Sequence, residues 1–199
     1  MLARVWSASL VGIDAIKVGV EVDIAGGLPG IVVVGLPDTA VQESKERVRT
    51  AVKNAGFAFP MRKIVVNLTP ADLRKEGPSF DLPISVGILA AAEQVSTDLL
   101  DEYLFLGEVS LDGSLRPVAG VLAIAAAAKQ MGIKGMVLPA DNAREAAVVK
   151  GLSVFGFKHL SEIGEFLHTP DQFVAAQVDG FEELERQQFS GPDLHDVKG

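Results

Sequence analysis

Two segments of the chain combine residue types that could do chemistry. The first, Arg74-Lys75-Glu76-Gly77-Pro78-Ser79-Phe80-Asp81-Leu82-Pro83, places a serine in a Gly-Pro-Ser turn directly ahead of an apolar run. A serine presented at a helix N-terminus lies beside unpaired backbone N–H groups that favour developing negative charge, which is the setting of a nucleophile. The second, Gly107 to Val118, carries Glu108, Asp112, Ser114 and Arg116 around an Asp112-Gly113 turn.

A serine hydroxyl is a weak nucleophile at neutral pH unless a neighbouring base takes its proton. The three histidines, His159, His168 and His195, lie far from Ser79 in sequence, and nothing in the sequence sets Lys75 or Lys129 against it. Ser79 therefore reads first as a helix N-cap, a role serine fills often. The histidines show no His-Glu-x-x-His or comparable spacing, and the chain has no cysteine, which excludes disulfides, thiolate nucleophiles and cysteine zinc sites. No Gly-x-Gly-x-x-Gly or Gly-x-x-x-x-Gly-Lys-Ser/Thr pattern occurs, so the Gly26-Gly27-Leu28-Pro29-Gly30 stretch reads as a turn and no phosphate site is predicted.

Charge is divided along the chain. The formal net charge is −8, which argues against nucleic acid, yet residues 45 to 75 hold eight basic residues against Glu46 and Asp72, a net +6. Lys45, Arg49, Lys53, Arg62, Lys63, Arg74 and Lys75 are the candidate nucleic-acid contacts in this region. Residues 161 to 199 hold nine acids against Arg186 and Lys198, so the acidity belongs to the C-terminal part. The absence of a long apolar run predicts no membrane span, and the absence of a signal peptide and of cysteine predicts a cytoplasmic protein.

The elements that must position these residues can be read from periodicity. Lys17 to Ile24 alternates with period two and is predicted to pair antiparallel with Ala3 to Leu10 across a turn at Gly12 and Asp14, and Gly30 to Val34 is a third strand. Asp38 to Ala55 is a predicted helix, opened by Pro37-Asp38 and closed by Gly56. Val41, Val48 and Val52 form its apolar stripe, and Lys45, Arg49 and Lys53 recur every four residues on another face. Ile64 to Leu68 is a strand, Phe80 to Gln94 a buried helix, and Leu104–Glu108 with Ser114–Arg116 a hairpin. Further on, a helix to Met131, a strand at Gly135–Leu138, a helix Asn142–Val149, a strand Ser153–Phe155 and a helix Leu160–Leu167 give an α/β order. After Thr169-Pro170 the composition turns polar and acidic, with a short helix predicted near Phe181 to Gln188.

The Gly-Pro-Ser segment and the Gly107 to Val118 segment, in that order, resemble the proteolytic domain of Lon protease. That resemblance implies Ser79 at the nucleophile position and a lysine base after a Pro-hydrophobic-Gly-Gly-hydrophobic run. The matching run, Pro117-Val118-Ala119-Gly120-Val121, is followed by Leu122, so the base is missing. Together with Val11 to Ala15, Gly30 to Asp38 and Asn67 to Gly77, these motifs resemble the N-terminal domain of the ComM/YifB family of magnesium-chelatase-like AAA+ proteins of bacteria.

The resemblance implies a Lon proteolytic-domain-like α/β fold, akin to the second domain of a ribosomal small-subunit protein, as a two-layer sandwich with a mixed sheet. It implies a domain at residues 1–167 and an acidic linker at 168–199 leading to a AAA+ module absent from this chain. The function it implies is a non-catalytic domain contributing DNA contact and ring assembly to a homo-oligomer, a hexamer, that acts in branch migration, transformation or recombination. The recombination protein RadA, with a domain of the same kind, is a second analogy for these roles. On this reading the chain itself has no cofactor and no metal, and ATP and magnesium belong to the longer protein. The competing readings are a serine peptidase using Ser79 and a purely structural or protein-recruiting domain.

Overall fold

The computed structural model describes residues 2–177. β1 (Leu2–Val11) and β2 (Asp14–Ala25) form the expected hairpin in unbroken antiparallel register from Leu2 opposite Asp23 to Val11 opposite Asp14. The two residues between them, Gly12 and Ile13, make the turn, and Gly12 takes the positive φ of 64° that a tight connection demands. β3 (Gly30–Val34), α1 (Thr39–Asn54) and β4 (Lys63–Thr69) form a β-α-β unit whose strands pair in parallel.

Helix α1 begins where Asp38 caps it, its Oδ1 accepting from the Val41 N–H at 2.8 Å. Its buried positions Val41, Ser44, Val48, Ala51 and Val52 lie on one face, as the stripe predicts. A short 3-10 turn at Pro78–Phe80 leads into α2 (Asp81–Ala91), every residue of which is buried. β5 (Tyr103–Phe105), β6 (Glu108–Val109), β7 (Leu115–Arg116), α3 (Val121–Gln130), β8 (Gly135–Pro139), α4 (Ala140–Ala146), β9 (Ser153–Phe157) and α5 (Leu160–His168) complete the order.

Seven strands join in one mixed sheet in the order β3-β4-β2-β1-β5-β8-β9. Among the described residues, its antiparallel pairings are those of β1 with β2 and of β2 with β4. The predicted hairpin at 104–116 is divided. Leu104 and Phe105 pair in parallel with β8, and only Glu108–Val109 turns back on Leu115–Arg116. The kink is at Gly107, whose N–H donates to the Ser79 carbonyl and whose own carbonyl accepts from Leu82, so the chain leaves the sheet to hold the start of α2.

The layering also departs from the two-layer expectation. Val5, Val20, Val22, Ile64, Val66 and Val137 pack with α1, α2 and α5, whereas Ala8, Leu104, Met136, Leu138 and Val154 pack with α3 and α4 on the opposite face. Period-two alternation in β8, with Val137 on one side and Met136 and Leu138 on the other, requires apolar cover on both faces. The acidic stretch beyond residue 177, including the helix predicted at Phe181 to Gln188 and His195, lies outside the described residues.

Gly35, just after β3, lies against β4 within the β-α-β unit. Its φ is +96°, and a Cβ there would overlap the carbonyl oxygen of Leu68. Gly35→Ala is expected to cost at least about 2 kcal/mol in urea unfolding, from positive φ and backbone overlap together. A loss under half of that would show that the turn can shift.

Candidate functional site

The Ser79 turn is built by three connections. Lys75 donates its N–H to the Leu36 carbonyl and accepts at its own carbonyl from Asp38, which draws the segment after β4 onto the entry of α1. Asp38 then uses its second carboxylate oxygen to accept from the Gly77 N–H at 3.0 Å, so one side chain caps α1 and fixes the turn. Gly77, at φ 82°, starts the 3-10 turn, and the Ser79 carbonyl receives the Gly107 N–H at 3.0 Å.

The Ser79 hydroxyl has no hydrogen-bond partner among the described residues, and Ser79 caps neither helical element. The N-cap positions are Gly77 and Phe80, and no side-chain hydrogen bond is made from either. The serine-cap expectation is therefore corrected. The positive end of α2 is met by Asp81 in its first turn instead. Ser79 sits half-buried where two adjoining clefts of about 220 and 270 Å³ meet, one running past Ser9 and Leu10 and the other past Pro117 and Val118.

None of the expected bases is directed to it. Leu122, at the position where the Lon resemblance calls for lysine, is the second residue of α3, and its backbone N–H donates to Glu145 Oε1 at 3.0 Å. The Lys129 ammonium donates to the Lys150 carbonyl at 2.8 Å, and that of Lys75 to the Pro70 carbonyl. His159 contacts the Asp112 carbonyl and Ser161, and His168 the Gln94 carbonyl. Serine chemistry needs a proton acceptor within hydrogen-bond reach, and among the described residues this arrangement supplies none.

The residue that sequence reasoning missed is Asp81. Its side chain is fully buried, and Arg47 from α1 holds it through two hydrogen bonds, Nε to Oδ2 at 2.9 Å and Nη2 to Oδ1 at 3.1 Å. The Val109 N–H adds a longer contact to Oδ2 at 3.4 Å. Burial outweighs these partners and pushes the Asp81 carboxyl up to about 6, while the side-chain hydrogen bond to Asp81 holds Arg47 above its ordinary range. A signal was present in the sequence: Asp81 is the one charged residue between Phe80 and Ala92, and a buried acid requires a partner.

The basic candidates separate into three groups. Lys45 and Arg49 are half-buried and Lys53 exposed along α1, and none of them forms an ion pair among the described residues. Arg62 and Lys63 are exposed at the start of β4, near the C-terminal end of α1, where Arg49 lies over the Phe59 ring at 5.5 Å. Arg74 and Lys75 are at the other end of that helix, about 24 Å away for sixteen residues of helix. Arg74 pairs with Glu76 at 3.3 Å, and Lys75 is wholly buried, its pKa lowered by desolvation against the pull of Asp72. Lys75 is thereby corrected from surface contact to core residue. Phe57 and Phe59 both pack into the core, Phe57 against Gly164, so they offer no stacking platform.

Among the described residues, no cluster of His, Asp or Glu could hold a metal ion, and no helix is long and apolar enough to cross a membrane. Residues 20–142 match the family model described as subunit ChlI of Mg-chelatase. The uncharacterized protein YifB of Escherichia coli K12 is 42% identical over 166 residues, covering 83% of this chain and 33% of YifB. The competence protein ComM of Haemophilus influenzae is 41% identical over 176 residues, covering 88% of this chain and 34% of ComM. Lon protease 2 of Bacillus subtilis is 29% identical over 123 residues, covering 60% of this chain and 21% of that protein. The chain thus spans about a third of the length of YifB and ComM.

Asp81 gives the fold a definite pH response. Its folded-state pKa of about 6 lies above the ordinary 3.8, so the stability it contributes is complete below 3.8 and is lost as pH rises through 6. The loss at neutral pH is about 3 kcal/mol by that difference. Subtracting the urea-unfolding profile of Asp81→Asn from that of the parent should isolate a fall of this sign across the window. A flat difference, or one that rises with pH, would contradict the burial assigned to Asp81.

Proposed function

The chain belongs to the Mg-chelatase ChlI-like family together with YifB and ComM, and from that premise we propose that it is a non-catalytic domain of a AAA+ ATPase acting on DNA, contributing DNA contact and ring assembly. The likeness to Lon protease 2 over 123 residues supports a Lon-type fold within the proposed domain 1–167, and 168–199 is proposed as the linker to the ATPase module of the longer protein. The name of ComM, a competence protein, supports transformation, with branch migration or recombination, as the setting. Homo-oligomerisation as a hexamer, a cytoplasmic location, and use of ATP and magnesium are parts of the same proposal for the longer protein. The Gly26–Gly30 connection, a turn between β2 and β3, lacks the Gly-Lys-Ser/Thr pattern of a phosphate loop, which supports assigning ATP use to the longer protein.

The observation that carries DNA contact is the line Lys45, Arg49 and Lys53 on α1, without ion pairs among the described residues and continued by Arg62 and Lys63 at the end of the helix. Arg47, on the same helix, is taken inward by Asp81, which leaves these others facing outward. Cations of this kind neutralise phosphates without reading sequence. Changing Lys45, Arg49 and Lys53 to Glu in the full-length protein should weaken DNA binding and flatten its salt dependence by about 0.7–0.9 in log–log slope for each phosphate no longer neutralised. Equal affinity and slope in parent and variant would leave the structural or protein-recruiting role as the better account.

The rival peptidase reading loses support from the geometry around Ser79, whose hydroxyl meets neither Lys75 nor Lys129. Fluorophosphonate probes should leave Ser79 unlabelled. Because Ser79 caps nothing, Ser79→Ala should change stability by less than about 0.5 kcal/mol. Labelling that disappears in Ser79→Ala would restore the peptidase.

A further inference from the structure

The two edges of the seven-stranded sheet are treated differently. At one edge the chain covers β9 with its own backbone, the Ala176 N–H donating to the Val154 carbonyl at 2.7 Å. At the other edge, no strand among the described residues lies on the outer side of β3. Its inner side is taken by β4 in parallel register from Gly30 to Val34. An uncovered edge presents a row of N–H and C=O groups that only another strand satisfies in full.

Inside β3 the usual guards are missing, Pro29 and Pro37 standing just outside the strand and Lys63 of β4 beside Gly27 at its start. From Gly30 to Leu36 the sequence is Gly-Ile-Val-Val-Val-Gly-Leu, with no charge and no proline. Natural edge strands are ordinarily blunted by an inward charge, a lysine or a proline. Val32 and Val34 are each 43% exposed on the face away from α1, and Leu28 and Leu36 flank them at 90% and 54%. Val33 points the other way into the core with Val41 and Val48 of α1.

We propose that β3 is a self-pairing edge, through which two copies of this chain associate by antiparallel β3–β3 pairing about a two-fold axis. The strand is suited to its own copy. With the axis at Val33, Val32 and Val34 of one copy stand opposite Val34 and Val32 of the other on the same face, and Val33 stands opposite Val33 on the helix face. β-branched residues thus meet β-branched residues at these three positions, Ile31 stands opposite Gly35, and no like charges are brought together. The contact is isologous and cannot by itself close a ring, so it is additional to any ring contact and does not depend on the function proposed above.

Sedimentation equilibrium of the 199-residue chain over a concentration series tests this. The parent is expected to approach twice its 21.0 kDa mass, and Val32→Lys/Val34→Lys to remain monomeric with an unchanged circular dichroism spectrum. A monomeric parent, or a dimer that survives the double lysine variant, overturns the proposal. A monomeric parent that dimerises only after removal of residues 178–199 also overturns it, by identifying that segment as what covers β3. If the lysine variant fails to fold, the cysteine-free chain allows a second reading. Mixed Val32→Cys and Val34→Cys chains should form a disulfide between copies on air oxidation, and failure to cross-link overturns the proposal.

Discussion

The Arg47–Asp81 pair is the interaction on which the rest of the arrangement depends. It joins the middle of α1 to the first turn of α2, and both partners lie where a wrong choice would be costly. An ionised carboxylate with no exposed surface loses its hydration, and the two hydrogen bonds from Arg47 restore only part of it. The pair therefore acts less as a source of stability than as a constraint on which packing of the two helices is tolerated. Helix α2 is apolar on every side, so its hydrophobic pattern alone leaves its rotation against the sheet open, and close packing such as Gly87 on Val22 supplies only part of the constraint. A charge at its first position that must meet Arg47 and the Val109 N–H removes that freedom.

The position of both candidate sites is set by this pair. Fixing the first turn of α2 fixes the Ser79 turn immediately before it, which Asp38 holds from the α1 side and Gly107 from the sheet side. The same pair sets the roll of α1. With Arg47 turned toward α2, Val48 and Val52 face the core, and Lys45, Arg49 and Lys53 are carried to the outside. One buried contact thus holds both a serine turn without a base and a line of cations without carboxylate partners among the described residues.

Much of the fold is legible in residue order, and the exceptions have physical causes. Helix α1 is legible in its start, stripe and basic face because capping by Asp38 and a four-residue recurrence are local properties. The β1–β2 hairpin is legible because alternation and a Gly12 turn are local too. The split of the 104–116 segment is not, since Leu104 and Phe105 choose β8 as neighbour through pairing with residues about thirty positions away. Nor is the burial of Lys75, which has the sequence setting of a surface lysine and is held inside by the Pro70 carbonyl and the backbone of Leu36. Ser79 has the sequence context of a cap, but the cap positions fall one residue after it and two before. The second layer of helices is hidden because an Ala-rich helix such as α3 shows only a narrow stripe, and which sheet face it covers depends on the crossover.

Whether Arg47 and Asp81 act as one unit in joining α1 to α2 is measured most directly by a double-mutant cycle in urea unfolding. Arg47→Met strands a buried carboxylate and should lose about 3 kcal/mol at neutral pH. Adding Asp81→Asn should return much of that loss, giving a coupling energy of about 2 kcal/mol, within the range seen for residues in direct contact. Strictly additive losses in the double variant would contradict the coupling, because they would mean that each side chain supports its own helix without the other.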